Sequence, residues 1–502
     1  MLMRILTNRW LHTFILIGIL AAAVTLKVRE YKSHNPHDYQ WVRSLGNVAF
    51  DLYNELNPRT PTDMVVMVDI DETSMERPEL GQWPWSRDMM AKLVSNLHAL
   101  GARAIVFDMV FPESDRTSPG VLLDRIPLDQ RPPDIEALIG AMPDNDDLFA
   151  QAIKDAGNVV TAFVWTSDAK ATRRTPPTIK PINMRGPAAQ LSESVPHITG
   201  AVTNLPLFSE AAAGEGSFGV IPDVDGIIRR VPLLFRYEDP TTGKTIVYPS
   251  LAIEALRVYH SAKSLINVRA LKSEEVGEFD PPLTMKVGNF EVPLDWDGLM
   301  NGYFTPARPR QYIPAWRVIN DEVAAERISG KIVFVGTSAE GLRDIRSTPL
   351  NLYIPGVELH LNITEQILTG EYLLRPEIVK FTEIIAIIAI GCLIIILAPF
   401  IGAIYMALFT MTLVATMAFL SWYSFEVHGL LIDPVYPGIC IIWLFIVATL
   451  LTYMRTEYER TRVRQAFGLY ISPDFMAELT RDPDKLKLGG ETRELTVMFT
   501  DI

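Results

Sequence analysis

Apolar residues are unevenly distributed along this chain. Four long runs carry almost no charge, and between the first two the pattern is that of a soluble protein. The runs are Trp10–Leu26, about Lys380–Ala398, Phe400–Trp422 and about Val435–Met454. Each is close to the roughly 17–25 residues that a membrane-spanning helix needs. From Ile384 to Trp422 no side chain is charged, too long a stretch for one helix, so Pro399 and Gly402 are read as the break between two spans. Residues 27–379 instead alternate short β-rich apolar runs with amphipathic stretches. Met64–Asp71 reads as a buried strand ending in carboxylates, and Ser86–Leu100 as a helix with Ser86 as its cap and Gly101 as its stop. Ala104–Phe111 reads as the next strand, completing a unit of the length that a parallel crossover needs. The unit recurs, with a helix at Asp144–Ala156 and strands at Asn158–Trp165 and Lys331–Ser338. The expected fold class is an α/β domain with a mostly parallel sheet, accompanied by four transmembrane helices.

Loop charges give an orientation in the bilayer. Arg455, Arg460, Arg462 and Arg464 follow the last run, whereas the loop Ser424–Pro434 carries only Glu426, Asp433 and His428. The excess of arginine places the C-terminus in the cytoplasm. Four spans then put residues 1–9 in the cytoplasm too and residues 27–379 outside. Lys27, Arg29 and Lys32 run against this assignment, but charge counting loses force where a long domain is translocated. Arg4, Arg9 and Ala21-Ala22-Ala23 also fit a cleaved signal peptide in place of an anchor, and in both cases the region after Leu26 is exported.

Composition narrows the functional classes. A chain of 502 residues, 48% hydrophobic and 21% charged, is too apolar for disorder and too long for a disulfide scaffold. At roughly 100–200 residues per domain it divides into two to four folding units. A net charge of −13 disfavours nucleic acid as a partner. Cys392 and Cys440 both lie in apolar runs, so redox chemistry and structural zinc are not expected.

Ligands of parallel sheets gather at the carboxyl ends of the strands. Asp69, Asp71, Asp108, Thr337 and Ser338 fall at or near such ends, and Arg87 is close in sequence, so these six are the candidate ligand-binding residues. The competing reading is structural: Asp at a strand end often caps the next helix or turn, and Trp83-Pro84-Trp85 makes a packed corner. Asp223-Val-Asp225-Gly226 begins like a calcium loop but lacks the later ligands, so it is read as a turn. His360 is read as a core or surface residue without a catalytic role.

Several ordered motifs resemble the CHASE2 extracellular sensory domain. They are Val66-Met-Val-Asp-Ile-Asp-Glu72, Trp83-Pro-Trp-Ser-Arg87, Gly101-Ala-Arg-Ala-Ile-Val-Phe-Asp108 with Phe111-Pro112, and Pro222-Asp-Val-Asp-Gly226 with Arg229-Arg230-Val-Pro232. Tyr248-Pro-Ser-Leu-Ala252, Gly330-Lys-Ile-Val-Phe-Val-Gly-Thr337, Thr348-Pro349 and Pro355-Gly-Val-Glu-Leu-His360 continue the series over about residues 40–375. The resemblance implies a sensor module followed by three membrane helices, with a ligand that is generally unknown.

Beyond the last span, Arg455–Tyr470 reads as a charged helix, with Arg455 and Glu459 four apart and Glu457 and Arg460 three apart. Val463, Ala466, Phe467 and Tyr470 make one apolar stripe, suited to a partner helix or to the start of the next domain. Ile471-Ser-Pro473 breaks this helix, and residues 455–488 form a signalling helix and linker. Residues 489–502 end in an apolar strand, Leu495–Ile502, that has no partner, which suggests a fragment of a longer protein. Phe467-Gly-Leu-Tyr-Ile-Ser-Pro473 with Gly489-Gly-Glu-Thr-Arg-Glu-Leu-Thr-Val-Met-Phe-Thr-Asp-Ile502 resembles the entry into a class III adenylate/guanylate cyclase domain, of α+β fold.

That resemblance implies that Asp501 binds two Mg2+ or Mn2+ ions, with the backbone carbonyl of Ile502 contributing. The chemistry explains the carboxylate: the ribose 3′-hydroxyl attacks the α-phosphorus and expels pyrophosphate, and the ions favour the alkoxide and neutralise phosphate charge. The family's second metal carboxylate, purine-selecting pair and transition-state Asn and Arg would lie beyond Ile502, so no catalytic residue is assigned here and this segment alone is expected to be inactive. The expectation is a membrane receptor-type adenylate cyclase acting on ATP as a homodimer. The alternatives are a guanylate cyclase, or a non-catalytic sensor or scaffold with a degenerate downstream domain. A histidine kinase is disfavoured because His428 is the final histidine, and an enzyme within the exported domain because no nucleophile with a paired base is recognisable.

Overall fold

The computed structural model describes residues 9–33, 38–131, 133–166, 182–185, 195–239, 242–260, 266–270, 283–306, 312–342, 344–468, 494 and 496–500. The chain divides into two compact units. One comprises Leu26–Ile385 and Ala415–Pro437; the other comprises Met1–Thr25, Ala386–Val414 and Gly438–Ile502.

The first unit is built on a seven-stranded sheet. Its strands are β1 (Val65–Ile70), β2 (Ala104–Phe107), β3 (Val159–Thr166), β4 (Gly200–Val202), β5 (Gly214–Ser217), β6 (Tyr312–Pro314) and β7 (Ile332–Thr337). The order is β6-β1-β7-β2-β3-β4, with β5 also paired to β3. Every pairing is parallel except that of β3 with β4. The mostly parallel α/β reading therefore holds. β2 is shorter than expected: it stops at Phe107, so Asp108 begins the exit from the sheet.

Among the described residues the helices of ten or more residues, in chain order, are α1 (Arg9–Lys32), α2 (Gln40–Leu56), α3 (Arg87–Ala99), α4 (Asn145–Ala156), α5 (Leu251–His260), α6 (Gly356–Thr369), α7 (Glu377–Leu397), α8 (Ala403–His428) and α9 (Val435–Gly468). Side chains alternate across a strand, and the core follows that period. Val66, Val68, Ile105, Phe107, Val333 and Val335 pack under α3 and α4 with Leu93, Leu97, Phe149 and Ile153. Val65, Met67, Val106, Ile332 and Phe334 face the other way, toward α5 and α6 with Leu251, Leu256, Leu359 and Ile363. Because both faces are covered, all six residues of β1 are buried. Asp69 and Asp108 follow the second parity, so both carboxylates lie on the α6 side.

Local signals mostly act as expected. Gly101 ends the turn after α3 with φ +82°, a backbone conformation that a Cβ disfavours. Ser86 does hold the position before α3, but its side chain makes no capping hydrogen bond. The Asp115 carboxylate, from a distant loop, instead accepts the Arg87 N–H at 2.8 Å. The peptide Trp83–Pro84 is cis, and the rings of Trp83 and Trp85 meet edge to face at 5.3 Å, as the packed-corner reading expects.

Among the described residues four helices are long and apolar enough to cross a membrane: Trp10–Lys32, Glu377–Leu397, Ala403–His428 and Val435–Ala466. α7 and α8 are separate helices, with Pro399 and Gly402 between them. α9 runs on without a break from the fourth apolar segment into the charged stretch, where Arg455 Nε bonds Glu459 at 2.8 Å and Arg460 lies 3.9 Å from Glu457. Val463 and Ala466 on that stretch are exposed. The strand expected over Leu495–Ile502 is not formed in its described part. Residues 496–500 are irregular and exposed, because a strand needs a neighbour to hydrogen-bond with and, among the described residues, none lies beside them. Tyr470, Asp501 and Ile502 lie outside the described residues.

Candidate functional site

β1, β7 and β2 run side by side, so the residues that leave their carboxyl ends are neighbours. The register sets Asp69 against Gly336, and the Asp108 N–H bonds the Val335 carbonyl at 2.9 Å. The two carboxylates thus flank Gly336 on one face of the sheet. Gly336 is required there: a Cβ at this position would lie 2.6 Å from the Cβ of Val357 on α6. The first turns of α6 cover this face.

Asp69 is buried and accepts two hydrogen bonds from Ser338, from its N–H at 3.0 Å and its hydroxyl at 2.7 Å. Burial pushes the Asp69 carboxyl up to about 6, and the Ser338 bonds limit the rise. Thr337, the last residue of β7, pairs in register with Ile70 and contributes backbone. Glu358 on α6 is buried nearby, bonded to the Tyr312 hydroxyl, and burial raises its carboxyl as well. Asp69 and Ser338 are therefore brought together, as a pair that locks two strand ends.

Asp71 has a different task. It caps the short helix Glu72–Met75, accepting from the Ser74 N–H at 2.9 Å, the Ser74 hydroxyl at 2.6 Å and the Thr73 hydroxyl at 2.8 Å. That is the structural alternative for an Asp at a strand end. Arg87 is not part of this constellation either. Its backbone bonds Asp115, its guanidinium lies 4.7 Å above the Phe111 ring, and its Nε lies 3.8 Å from Asp146. Burial works against charge on Asp115, but hydrogen bonds from Arg87, Thr117 and Asn145 outweigh it and hold the carboxyl below its ordinary value. Arg87 therefore secures the loop after Phe111.

Asp108 is the most perturbed of the six candidates. Its Oδ1 is buried without a hydrogen-bond partner and lies 3.8 Å from His360 Nε2. Burial pushes its carboxyl up to about 8, with Asp344 adding to the rise and Arg346 opposing it. His360 is buried on α6, where Nε2 meets the Phe218 carbonyl at 3.1 Å and Nδ1 has no partner. Burial pulls its pKa down to about 4. At neutral pH the two groups form an uncharged pair, a carboxylic acid beside a neutral imidazole. Sequence reasoning sets His360 aside because its neighbour is 252 positions away in the chain and only α6 brings them together.

Asp223 and Asp225 form the expected turn, closed by the Gly226 N–H on the Asp223 carbonyl at 2.8 Å. Arg229 bonds Asp223 at 2.9 Å and Asp225 at 2.7 Å, and reaches Asp51 on α2 at 2.7 Å. Among the described residues no group of three or more His, Cys, Asp or Glu side chains is arranged to hold a metal ion.

A family model for the CHASE2 domain matches residues 19–398, more than half of the 502 residues. The chain belongs to the CHASE2 family. No curated protein and no solved structure gave a match. A CHASE2 domain is an extracellular sensor domain, and the four apolar helices supply the means to hold it at a membrane.

A second constellation lies where the CHASE2 domain meets the helix ends packed in the same unit. Lys27 of α1 is only 1% exposed. Its ammonium lies 3.0 Å from Asp433, 3.5 Å from Glu30 and 3.8 Å from Glu383 of α7. Arg375 lies 3.2 Å from Glu383, Arg43 of α2 lies 3.3 Å from Glu30, and the Tyr31 hydroxyl bonds Glu383. The Asp433 N–H donates to Glu383 at 2.9 Å, while the Asp433 carboxylate accepts from Val435 and Tyr436 and so caps α9. Buried charges persist only when paired, and here the pairs come from α1, α2, α7 and the start of α9. The legible signal is Glu383, the one carboxylate in the run from Lys380 to Ala398, since an ionisable residue in a candidate span is a functional candidate with a partner to be found.

Proposed function

We propose that the chain is the sensing and membrane-anchoring part of a receptor-type adenylate cyclase, which couples the extracellular CHASE2 domain to conversion of ATP to cyclic AMP and pyrophosphate inside the cell. The observation that supports a receptor is the charge cluster around Lys27. A displacement of any one of its four segments must carry the others with it or leave a buried charge unpaired, which costs about 3–5 kcal/mol. Movement at the sensor is thereby tied to movement of the spans. α9 is one helix from Val435 to Gly468, so a shift or rotation at its outer end is passed along a continuous rod.

The cyclase output rests on the motifs Phe467–Pro473 and Gly489–Ile502, as does the homodimer. Asp501 and Ile502, the residues proposed to hold Mg2+ or Mn2+, lie outside the described residues. The sensor on one side of the bilayer and both termini on the other follow from loop charge.

Cyclic AMP is to be assayed in cells producing the full-length protein and its Asp501→Ala variant. The proposal predicts synthesis with the first and a fall to background with the second. Equal synthesis by both refutes the metal role, and no cyclic nucleotide from either refutes the output.

A further inference from the structure

The apolar surface of α2 is wider than the protein covers. Val42, Ala49, Phe50 and Tyr53 are buried, but Trp41, Val48, Leu52 and Leu56 are exposed, Trp41 by 56% and Leu56 by 63%. At about 100° per residue the exposed four, with half-buried Leu45, fall within an arc of roughly 80°. Such a stripe on a soluble surface is costly, at about 25 cal/mol per Å2 left in water. We propose that this stripe lies in the interfacial layer of the bilayer, on the side that carries the CHASE2 domain, and that lipid is its partner.

Position argues for lipid. α2 is packed against helix ends of the membrane segments within its own unit: the Trp41 ring lies 6.2 Å from that of Tyr436, the Tyr53 hydroxyl bonds Ser421 at 3.0 Å, and the Tyr53 ring lies 5.3 Å from both Trp422 and Phe425. α8 has 26 residues. That makes it about 39 Å long, against roughly 30 Å of hydrocarbon, so its terminal turns stand in the interfacial layer. Ser421 and Phe425 are close to its C-terminal end, at the depth of about 5–10 Å where an interfacial helix buries its apolar face. On the opposite side of α8 from Ser421 and Phe425, Leu420, Tyr423 and Val427 are also exposed, so this end of α8 carries apolar surface of its own. Trp41 adds the residue type enriched at membrane interfaces. The polar edge of α2 faces elsewhere: Asn47 reaches Asp223 at 3.5 Å and Asp51 bonds Arg229. α2 is thus a clasp with lipid on one edge and the sensor turn on another.

The inference rests on the four segments being spans, and the test separates the two. In the full-length protein with Cys392→Ala and Cys440→Ala, nitroxide labels are placed singly at Val48→Cys and Leu52→Cys, both at exposed positions, in phosphatidylcholine nanodiscs. Met411→Cys on α8 and Glu291→Cys on the sensor surface serve as references. Collisions with oxygen, which partitions into lipid, are compared with collisions with a water-soluble nickel chelate. Oxygen-dominated relaxation at 48 and 52, between the values at 411 and 291, is the expected result. Chelate collisions at 48 and 52 equal to those at 291 put the stripe in water and overturn it. Shielding from both agents, with dipolar broadening between labels, puts a second copy there and also overturns it. Chelate access at 411 would instead remove the span itself.

Discussion

Asp108 and His360 show what a single residue's surroundings do to its chemistry. Asp108, pushed up to about 8 from its ordinary 3.8, holds its proton in the native protein long after the unfolded chain has lost it. Its contribution to stability is complete below about pH 4 and is lost as pH rises through 8. His360, pulled from 6.5 to about 4, acts with the opposite sign: it costs stability as pH falls from 6.5 through 4. The two oppose each other between pH 4 and 6.5, so Asp108 dominates the pair between 6.5 and 8. We expect unfolding stability of the purified protein to fall across that upper window by up to about 1.4 kcal/mol per pH unit, and Asp108→Asn to remove the slope. Equal slopes in the two proteins, followed by denaturant unfolding, would contradict this. At this scale the sequence is partly legible. The parity of β1, β2 and β7 places Asp69, Ser338 and Asp108 on one face, but nothing local distinguishes a carboxylate that caps, as Asp71 does, from one that folding sets beside a buried histidine, as it does Asp108. Nor does proximity in sequence make Arg87 a neighbour of the strand ends, because its partners arrive from Asp115 and Asp146.

Elements are held by contacts between positions that lie far apart in the chain, and two of these make separable predictions. α6 rests on Gly336, and Gly336→Ala sets a Cβ 2.6 Å from Val357. Overpacking of this kind costs about 1–3 kcal/mol, and thermal unfolding should report it, with Val357→Ala in the same chain returning part of the loss. The charge cluster predicts non-additivity. Lys27→Met leaves Asp433, Glu30 and Glu383 without their shared ammonium and should cost about 3–5 kcal/mol, whereas adding Asp433→Asn should recover a measurable fraction. Strict additivity would mean that the cluster does not bind its segments together. The helices and strands are readable because their periods are local properties. Ser86 looks like the α3 cap from sequence because Asp115, which accepts the bond instead, lies 28 positions from the N–H that donates it.

The whole molecule is the most legible level for the membrane segments and the parallel sheet, since both depend on runs of residues whose pattern survives any detail of packing. α1 and α8 extend beyond the apolar runs because a helix continues past the hydrocarbon until its end is capped or broken, as α9 does through its arginines. What joins the sensor to the spans is not legible, because each cluster member is an isolated charge until folding gathers them. In the proposed receptor the CHASE2 domain meets its stimulus on one side of the membrane and α9 emerges on the other. This arrangement is tested most directly in intact cells, with a membrane-impermeant maleimide and single cysteines at Glu291→Cys on the sensor and Arg462→Cys on α9, in the background lacking Cys392 and Cys440. Labelling at 291 in intact cells and at 462 only after permeabilisation is the expected result. Labelling at 462 with 291 protected, or both sites labelled alike in sealed cells, would contradict it.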